Sequence, residues 1–167
     1  MSATSRTQTL GLMKLIALCI PFVLSQIVVA DSREDQLRAG LAAMERQHYA
    51  TAMRAWSDLA EAGDPEAQHN IGYMYEEGLG VTQQYDVAME WYRRAADGGL
   101  AEAEHNLGMM YVDGRGVAKS WAQGLIYFRK AALKGLTESR YMIALSYFQG
   151  EGQTLNRPLA YEGLRGP

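Results

Sequence analysis

The chain is poor in the residues that most often staple or catalyse. Its 167 residues include one cysteine, Cys19, with three histidines, three phenylalanines and four prolines. A single thiol excludes an intrachain disulfide and a thiolate metal cluster, so the fold must come from burial. Excess positive charge is missing too: 16 Lys and Arg stand against 19 Asp and Glu, a formal net charge of −3. Phosphate backbones are bound by basic stripes, so nucleic acid is not an expected partner. There is no long apolar run. Leu15 to Ala30 is 16 residues and contains Pro21, Ser25 and Gln26, short of the ~20 apolar residues that a spanning helix needs. At 48% apolar and 21% charged, the composition is that of a globular chain long enough to bury a core.

That short apolar stretch follows Met13 and Lys14 and ends in Val28-Val29-Ala30. A basic start, a short apolar middle and small residues three and one before the break are the parts of a secretory signal peptide. Residues 1–30 are read as this leader, with cleavage after Ala30 and with Met13 as an alternative translation start. Leu18 stands before Cys19 where a lipoprotein leader wants a small residue, so no lipid anchor is expected. The 137 residues that remain carry no cysteine, 14 basic and 19 acidic residues. Stable membrane insertion is not expected after cleavage, and the leader leaves both a periplasmic and a secreted location open.

What the chain does have is repetition. AEAEHNLGMMYVDGRGV (Ala101 to Val117) falls in register with PEAQHNIGYMYEEGLGV (Pro65 to Val81) at a step of 36 residues, and TESRYMIALSYFQGEGQ (Thr137 to Gln153) is a weaker third copy. A period of this size marks stacked supersecondary units. Ala67, Ile71, Gly72 and Tyr75 recur as Ala103, Leu107, Gly108 and Tyr111, at the spacing of one buried helical face. A second helix follows in each unit, with Ala88, Trp91, Tyr92 and Ala95 in one copy and Gly124, Tyr127, Phe128 and Ala131 in the next. Gly72, Gly108 and Ala144 are expected to let the neighbouring helix approach closely, its rings filling the space. Gly78 and Gly80, then Gly114 and Gly116, form the turn between the helices, where positive φ is needed.

The expected division is a leader over 1–30, an N-terminal capping helix pair over 31–62, repeat 1 over 63–98, repeat 2 over 99–134, and an incomplete third repeat over 135–167. In the cap, Tyr49, Ala52, Trp56 and Ala60 hold the second-helix columns while the first helix is a variant. At the other end Pro158 and Ala160 start a further helix, and Gly163 stands in the column of Trp91 and Tyr127. That end is read as a short cap, a truncation, or a surface that docks elsewhere.

These columns resemble the Sel1-like repeats, relatives of the tetratricopeptide repeats built on A-x-x-x-L-G-x-x-Y-x-x-G-x-G-V and A-x-x-W-Y-x-x-A-A-x-x-G, from about Glu34 to Ala160. The resemblance implies an all-α, right-handed α/α solenoid of stacked helix hairpins acting as an adaptor. Secreted bacterial members are tied to envelope assembly, exopolysaccharide systems, signalling control or host interaction. A cysteine-rich branch linked to β-lactam binding carries one disulfide per repeat; this chain lacks those cysteines, so that activity is not carried over.

Few residues remain for chemistry. Gly114-Arg115-Gly116-Val117-Ala118-Lys119-Ser120 lacks the glycine before the lysine and the preceding strand of a phosphate loop. His69 and His105 share a column, but no third zinc ligand or HExxH pattern accompanies them. His48 is read as a solvent-facing turn residue. No nucleophile elbow is present. Glu76-Glu77 and Glu102/Glu104 are pairs that acid and base chemistry would want, yet on helix faces they are expected to be solvated. No metal or cofactor is expected.

In helix-pair solenoids the first helices line the concave side. Counting outward from the core columns gives Glu66, His69, Tyr73, Glu76 and Glu77 in the first repeat. Glu102, His105, Met109, Val112 and Asp113 follow, then Glu138, Tyr141, Leu145, Phe148 and Gln149. Aromatic and flexible apolar anchors among acidic groups suit a protein or peptide segment with basic residues. The expected function is therefore an exported, non-enzymatic adaptor that binds protein segments on this face. The alternative is a cell-wall-active protein that binds or hydrolyses peptidoglycan or a β-lactam-like ligand, which a deep pocket with a desolvated carboxylate on that face would favour.

Overall fold

A computed structural model describes residues 32–154, 156 and 158–160 of the chain; the leader falls outside them. Residues 32–45 form helix α1. Six helices of 13 residues follow: α2 (Tyr49–Glu61), α3 (Pro65–Glu77), α4 (Tyr85–Asp97), α5 (Ala101–Asp113), α6 (Trp121–Leu133) and α7 (Thr137–Gln149). Residues 158–160 are again helical, and no strand occurs among the described residues. Each helix from α2 onward packs on the next, most extensively within the pairs α3/α4 and α5/α6. The result is an all-helical stack of hairpins, an α/α solenoid.

The boundaries follow from local chemistry. Asp64 caps α3 by accepting from the Ala67 amide at 2.9 Å, with Pro65 at the first helical position, where its missing N–H costs nothing. Ser120 caps α6 through the Gln123 amide at 3.2 Å. The first helices end alike. Gly78, Gly114 and Gly150 take the left-handed conformation at φ of 70, 74 and 74°, and the amides of Leu79, Arg115 and Glu151 close back onto Met74, Met110 and Ser146 in the Schellman pattern. The carbonyls of Tyr75, Tyr111 and Tyr147 accept from Gln84, Ser120 and Asn156, so the tyrosine column fixes the far side of each loop.

The second glycine of each loop has another task. A Cβ on Gly80 would lie 2.5 Å from Cβ of Tyr49, and one on Gly116 would lie 2.8 Å from Cβ of Tyr85; Gly152 approaches Trp121 and Ala122 within 2.9 Å. Each loop therefore seats against the start of the preceding unit's second helix, and the Gly-x-Gly pair both turns the chain and joins the units.

Within each hairpin a ring lies on a glycine. Trp56, Tyr92 and Phe128 are fully buried, and a Cβ at Gly40, Gly72 or Gly108 would meet them at 2.1, 2.8 and 2.5 Å. Gly40 explains why the cap looks irregular in sequence. It lies 16 residues before its ring where the other two lie 20 before theirs, because the α1–α2 turn, with Gln47 at φ 60°, is four residues shorter than the Gly-x-Gly loops. His48 lies exposed in that turn.

Gly108→Ala should force Phe128 off its seat and cost about 1–3 kcal/mol, read as a lower urea midpoint, with part of the loss recovered by adding Phe128→Leu. Unchanged stability in Gly108→Ala would mean that the ring is not seated on the backbone.

Candidate functional site

The outward face of α3, α5 and α7 keeps much of the expected set. Tyr73, Tyr141 and Phe148 are 43%, 54% and 47% exposed, while Met109 and Leu145 are half-buried. Glu66, Glu102 and Glu138 stand exposed in the first turns of α3, α5 and α7, where a carboxylate also favours the helix dipole. Only the first of the three is engaged by a cation. Arg33 from α1 donates to Glu66 at 3.0 Å and to Asp64; no ion pair to Glu102 or Glu138 occurs among the described residues.

The histidines link neighbouring first helices. Asn106 Nδ2 donates to His69 Nε2 at 3.0 Å, and His105 Nδ1 meets Ser139 Oγ at 2.9 Å. The rings pack on Tyr92 and Phe128 at centroid distances of 5.4 and 5.3 Å. Burial lowers the pKa of both imidazoles from 6.5, most directly through the lost solvation of the charged form, so both are neutral at pH 7. No group of three or more His, Cys, Asp or Glu that would hold a metal occurs among the described residues.

Two acidic residues and one valine depart from expectation. Glu76, expected on the partner face, is 6% exposed: its carboxylate accepts from the Tyr92 hydroxyl at 2.6 Å and pairs with Arg115. Position 76 is four beyond Gly72 and so shares the helix side that faces α4. Burial and the neighbouring Glu76 charge together raise the Tyr92 pKa, keeping the phenol a donor. Val112, one repeat later, is likewise buried, opposite Phe128, which has no hydroxyl to satisfy. Glu104, expected to be solvated, is 5% exposed and pairs with Lys134 at 2.9 Å. In both candidate carboxylate pairs, then, one member is buried in an ion pair while Glu77 or Glu102 remains exposed.

Two concavities accompany these residues. A groove of about 360 Å³ between α5 and α7 is lined by His105, Met109, Thr137, Glu138, Tyr141 and Met142, so it gathers four residues expected on this face. Met142 escaped notice because its column holds Asn70 and Asn106 in the other repeats. A smaller, polar cavity of about 170 Å³ lies between α4, α5 and α6, beside Glu104, Arg93, Asp97 and Lys130.

The profile of the Sel1 repeat family matches residues 65–100, 101–136 and 137–162, together more than half of the chain. A Sel1 repeat protein from Oxalobacter formigenes superposes with a TM-score of 0.70 at 31% identity, over 75% of this chain and 52% of its own. A protective antigen present in uropathogenic Escherichia coli strains, displaying an SLR fold, superposes with a TM-score of 0.73 at 28% identity, over 80% of this chain and 29% of its own. The chain thus spans about half the length of the first and less than a third of the second. No curated protein matches the sequence.

Glu76→Val alone removes the acceptor of the Tyr92 hydroxyl and leaves the Arg115 guanidinium only Asp113 at 2.9 Å, and should cost about 2–3 kcal/mol. Adding Tyr92→Phe and Arg115→Leu copies the apolar solution at Val112 and Phe128 with the leucine of the equivalent Leu79, and should return the urea midpoint to within about 1 kcal/mol of wild type. A triple variant no better than Glu76→Val would refute this account of the burial.

Acid should weaken the fold through the histidines. Their folded pKa values lie below the ordinary 6.5, so the unfolded chain protonates first and stability is lost as pH falls through 6.5. The urea midpoint should drop between about pH 7 and pH 5, and drop less in a His69→Gln, His105→Gln chain; an equal drop would remove the histidines as its cause.

Proposed function

The chain belongs to the Sel1 repeat family, and from that premise we propose that it is an exported adaptor, not an enzyme, which holds a lysine- or arginine-bearing segment of a partner protein on the concave, first-helix face of the solenoid. Sel1 repeat chains are scaffolds that typically mediate protein–protein interaction. The observation that carries the finer reading is Arg33. Its guanidinium bridges Asp64 and Glu66, the latter at 3.0 Å; the glutamate half of that seat recurs at Glu102 and Glu138 without an ion pair from the described residues, while Leu100 and Leu136 stand in the column of Asp64. A partner side chain of the same kind would repeat that contact one and two units further on, with Tyr73 and Tyr141 beside it as aromatic anchors.

Export rests on the leader read from residues 1–30. No helix among the described residues is long and apolar enough to cross a membrane. The cavity beside Glu104 holds a carboxylate with one oxygen paired to Lys134 at 2.9 Å and the other buried without a hydrogen-bond partner among the described residues, but it opens among α4, α5 and α6 instead of on the first-helix face where the cell-wall reading wants it.

Random peptides displayed on phage and selected on the chain should be enriched in Lys and Arg. Their affinity should fall about tenfold, or ~1.4 kcal/mol, in a Glu102→Gln, Glu138→Gln variant and on Tyr141→Ala, and should weaken with added salt in the wild type. Selected peptides without basic residues, or equal binding by the glutamine variant, would overturn the assignment of the face.

A further inference from the structure

The groove between α5 and α7 carries nitrogen and sulfur donors on the same face that the proposed function gives to a peptide. His105 and Met109 are four residues apart on α5, so their side chains lie one above the other on a single face. Met142 reaches the same groove from α7. The preceding repeat shows what stands at its position: Asn106, 36 residues earlier, brings its amide to 3.0 Å from His69 Nε2. Met142 occupies the Asn106 column and His105 the His69 column, so a thioether replaces the amide beside the imidazole. The hydrogen bond has moved accordingly. His105 uses Nδ1 toward Ser139 Oγ at 2.9 Å, and its Nε2 has no hydrogen bond from the described residues.

We propose that this groove binds one copper(I) ion through Nε2 of His105 and the thioether sulfurs of Met109 and Met142. Thioethers are soft ligands that select copper(I), whereas zinc sites want thiolate, imidazole and carboxylate donors, and calcium or magnesium wants oxygen. The surrounding groups suit such a site. With Nδ1–H of His105 donating to Ser139 Oγ at 2.9 Å, Nε2 offers its lone pair to the groove. Ser139 is itself fully buried and fixes the ring, as partners of metal-ligating histidines commonly do. Glu138 lines the same groove, and its charge offsets that of the cation. The previous inter-repeat position supplies an internal contrast. Around His69 the equivalent residues are Tyr73 and Asn106, which bring no sulfur, so one site per chain is expected.

The test is an anaerobic titration of copper(I) into the full chain carrying Cys19→Ser, which removes the competing thiol, against bicinchoninate as the competing chelator. One equivalent should be bound. Met109→Leu with Met142→Leu keeps the groove's volume but removes both sulfurs, and should weaken binding at least about 100-fold, the upper end of what loss of even a supporting partner costs. His105→Gln should do the same, with sulfur scattering retained in the X-ray absorption spectrum of any residual complex. Helical circular dichroism and the urea midpoint establish that each variant is folded. Failure of the folded wild type to take up copper(I), or wild-type affinity in the double leucine variant, would overturn the proposal. The proposal rests on the same face as the peptide reading, and the Glu102→Gln, Glu138→Gln variant, which keeps all three copper donors, separates the two: it should lose basic peptides and still bind one equivalent of copper(I).

Discussion

The contact on which the rest of the molecule depends is a large ring lying against a helix that has no side chain there. Trp56 on Gly40, Tyr92 on Gly72 and Phe128 on Gly108 are one device used three times. It brings the two helices of a hairpin closer than Cβ atoms would permit, and it buries the ring completely. Burial of a ring of this size is worth several kcal/mol, whereas a glycine within a helix costs about 1 kcal/mol relative to alanine. The exchange favours the hairpin, and its close approach sets where the outer faces of both helices point.

Joining one hairpin to the next uses a different mixture of forces. The second glycine of each loop lies against the start of the preceding unit's second helix, a contact of shape alone. Polar links are added where side chains allow: Asn106 to His69, His105 to Ser139, Lys134 to Glu104, and Arg115 to Glu76. The last is costly because a carboxylate is withdrawn from water, and it holds only because Tyr92 and Arg115 both meet it. One repeat later valine faces phenylalanine in the same places. The two solutions are alternatives for one space, and each works only when both partners change together.

Much of this was legible in the sequence because the repeat period exposes the core columns three times over. The ring column, the glycine column and the Gly-x-Gly loop could be named from spacing, and they are where the structure has them. The cap was less legible, since a turn four residues shorter moves Gly40 out of the column of Gly72 although it does the same work. Burial of Glu76 was hidden for another reason. Helical spacing places it beside Gly72, but residue type argues for solvent, and the cation that resolves the conflict, Arg115, lies 39 residues away in the next loop. The place of Met142 in the groove was hidden similarly, because its column holds Asn70 and Asn106 in the other repeats. Pairwise contacts between repeats are what a column-by-column reading cannot supply.

That distinction also separates fold from function in this chain. Columns that build the hairpin hold glycine, a ring or alanine in successive units, because each has one shape to fill. Columns on the first-helix face obey no such limit: His69, His105 and Tyr141 share one, Tyr73, Met109 and Leu145 another, and Asn70, Asn106 and Met142 a third. Each groove between units is therefore walled by a different combination on an unchanged frame. The glutamates at 66, 102 and 138 are the exception, an exposed column that repeats although the core does not require it. Their place in the first turn of each helix supplies a modest electrostatic reason. That reason would be met equally by aspartate, or by Glu104 had it stayed in solvent, so it does not account for the identical residue in all three units. A surface that presents the same carboxylate at every step, taken by Arg33 at the first, beside anchors that differ at every step, would separate the two parts of recognition. On the proposed function, the charge would give a basic segment a common register along the stack, and the variable walls would decide which segment stays.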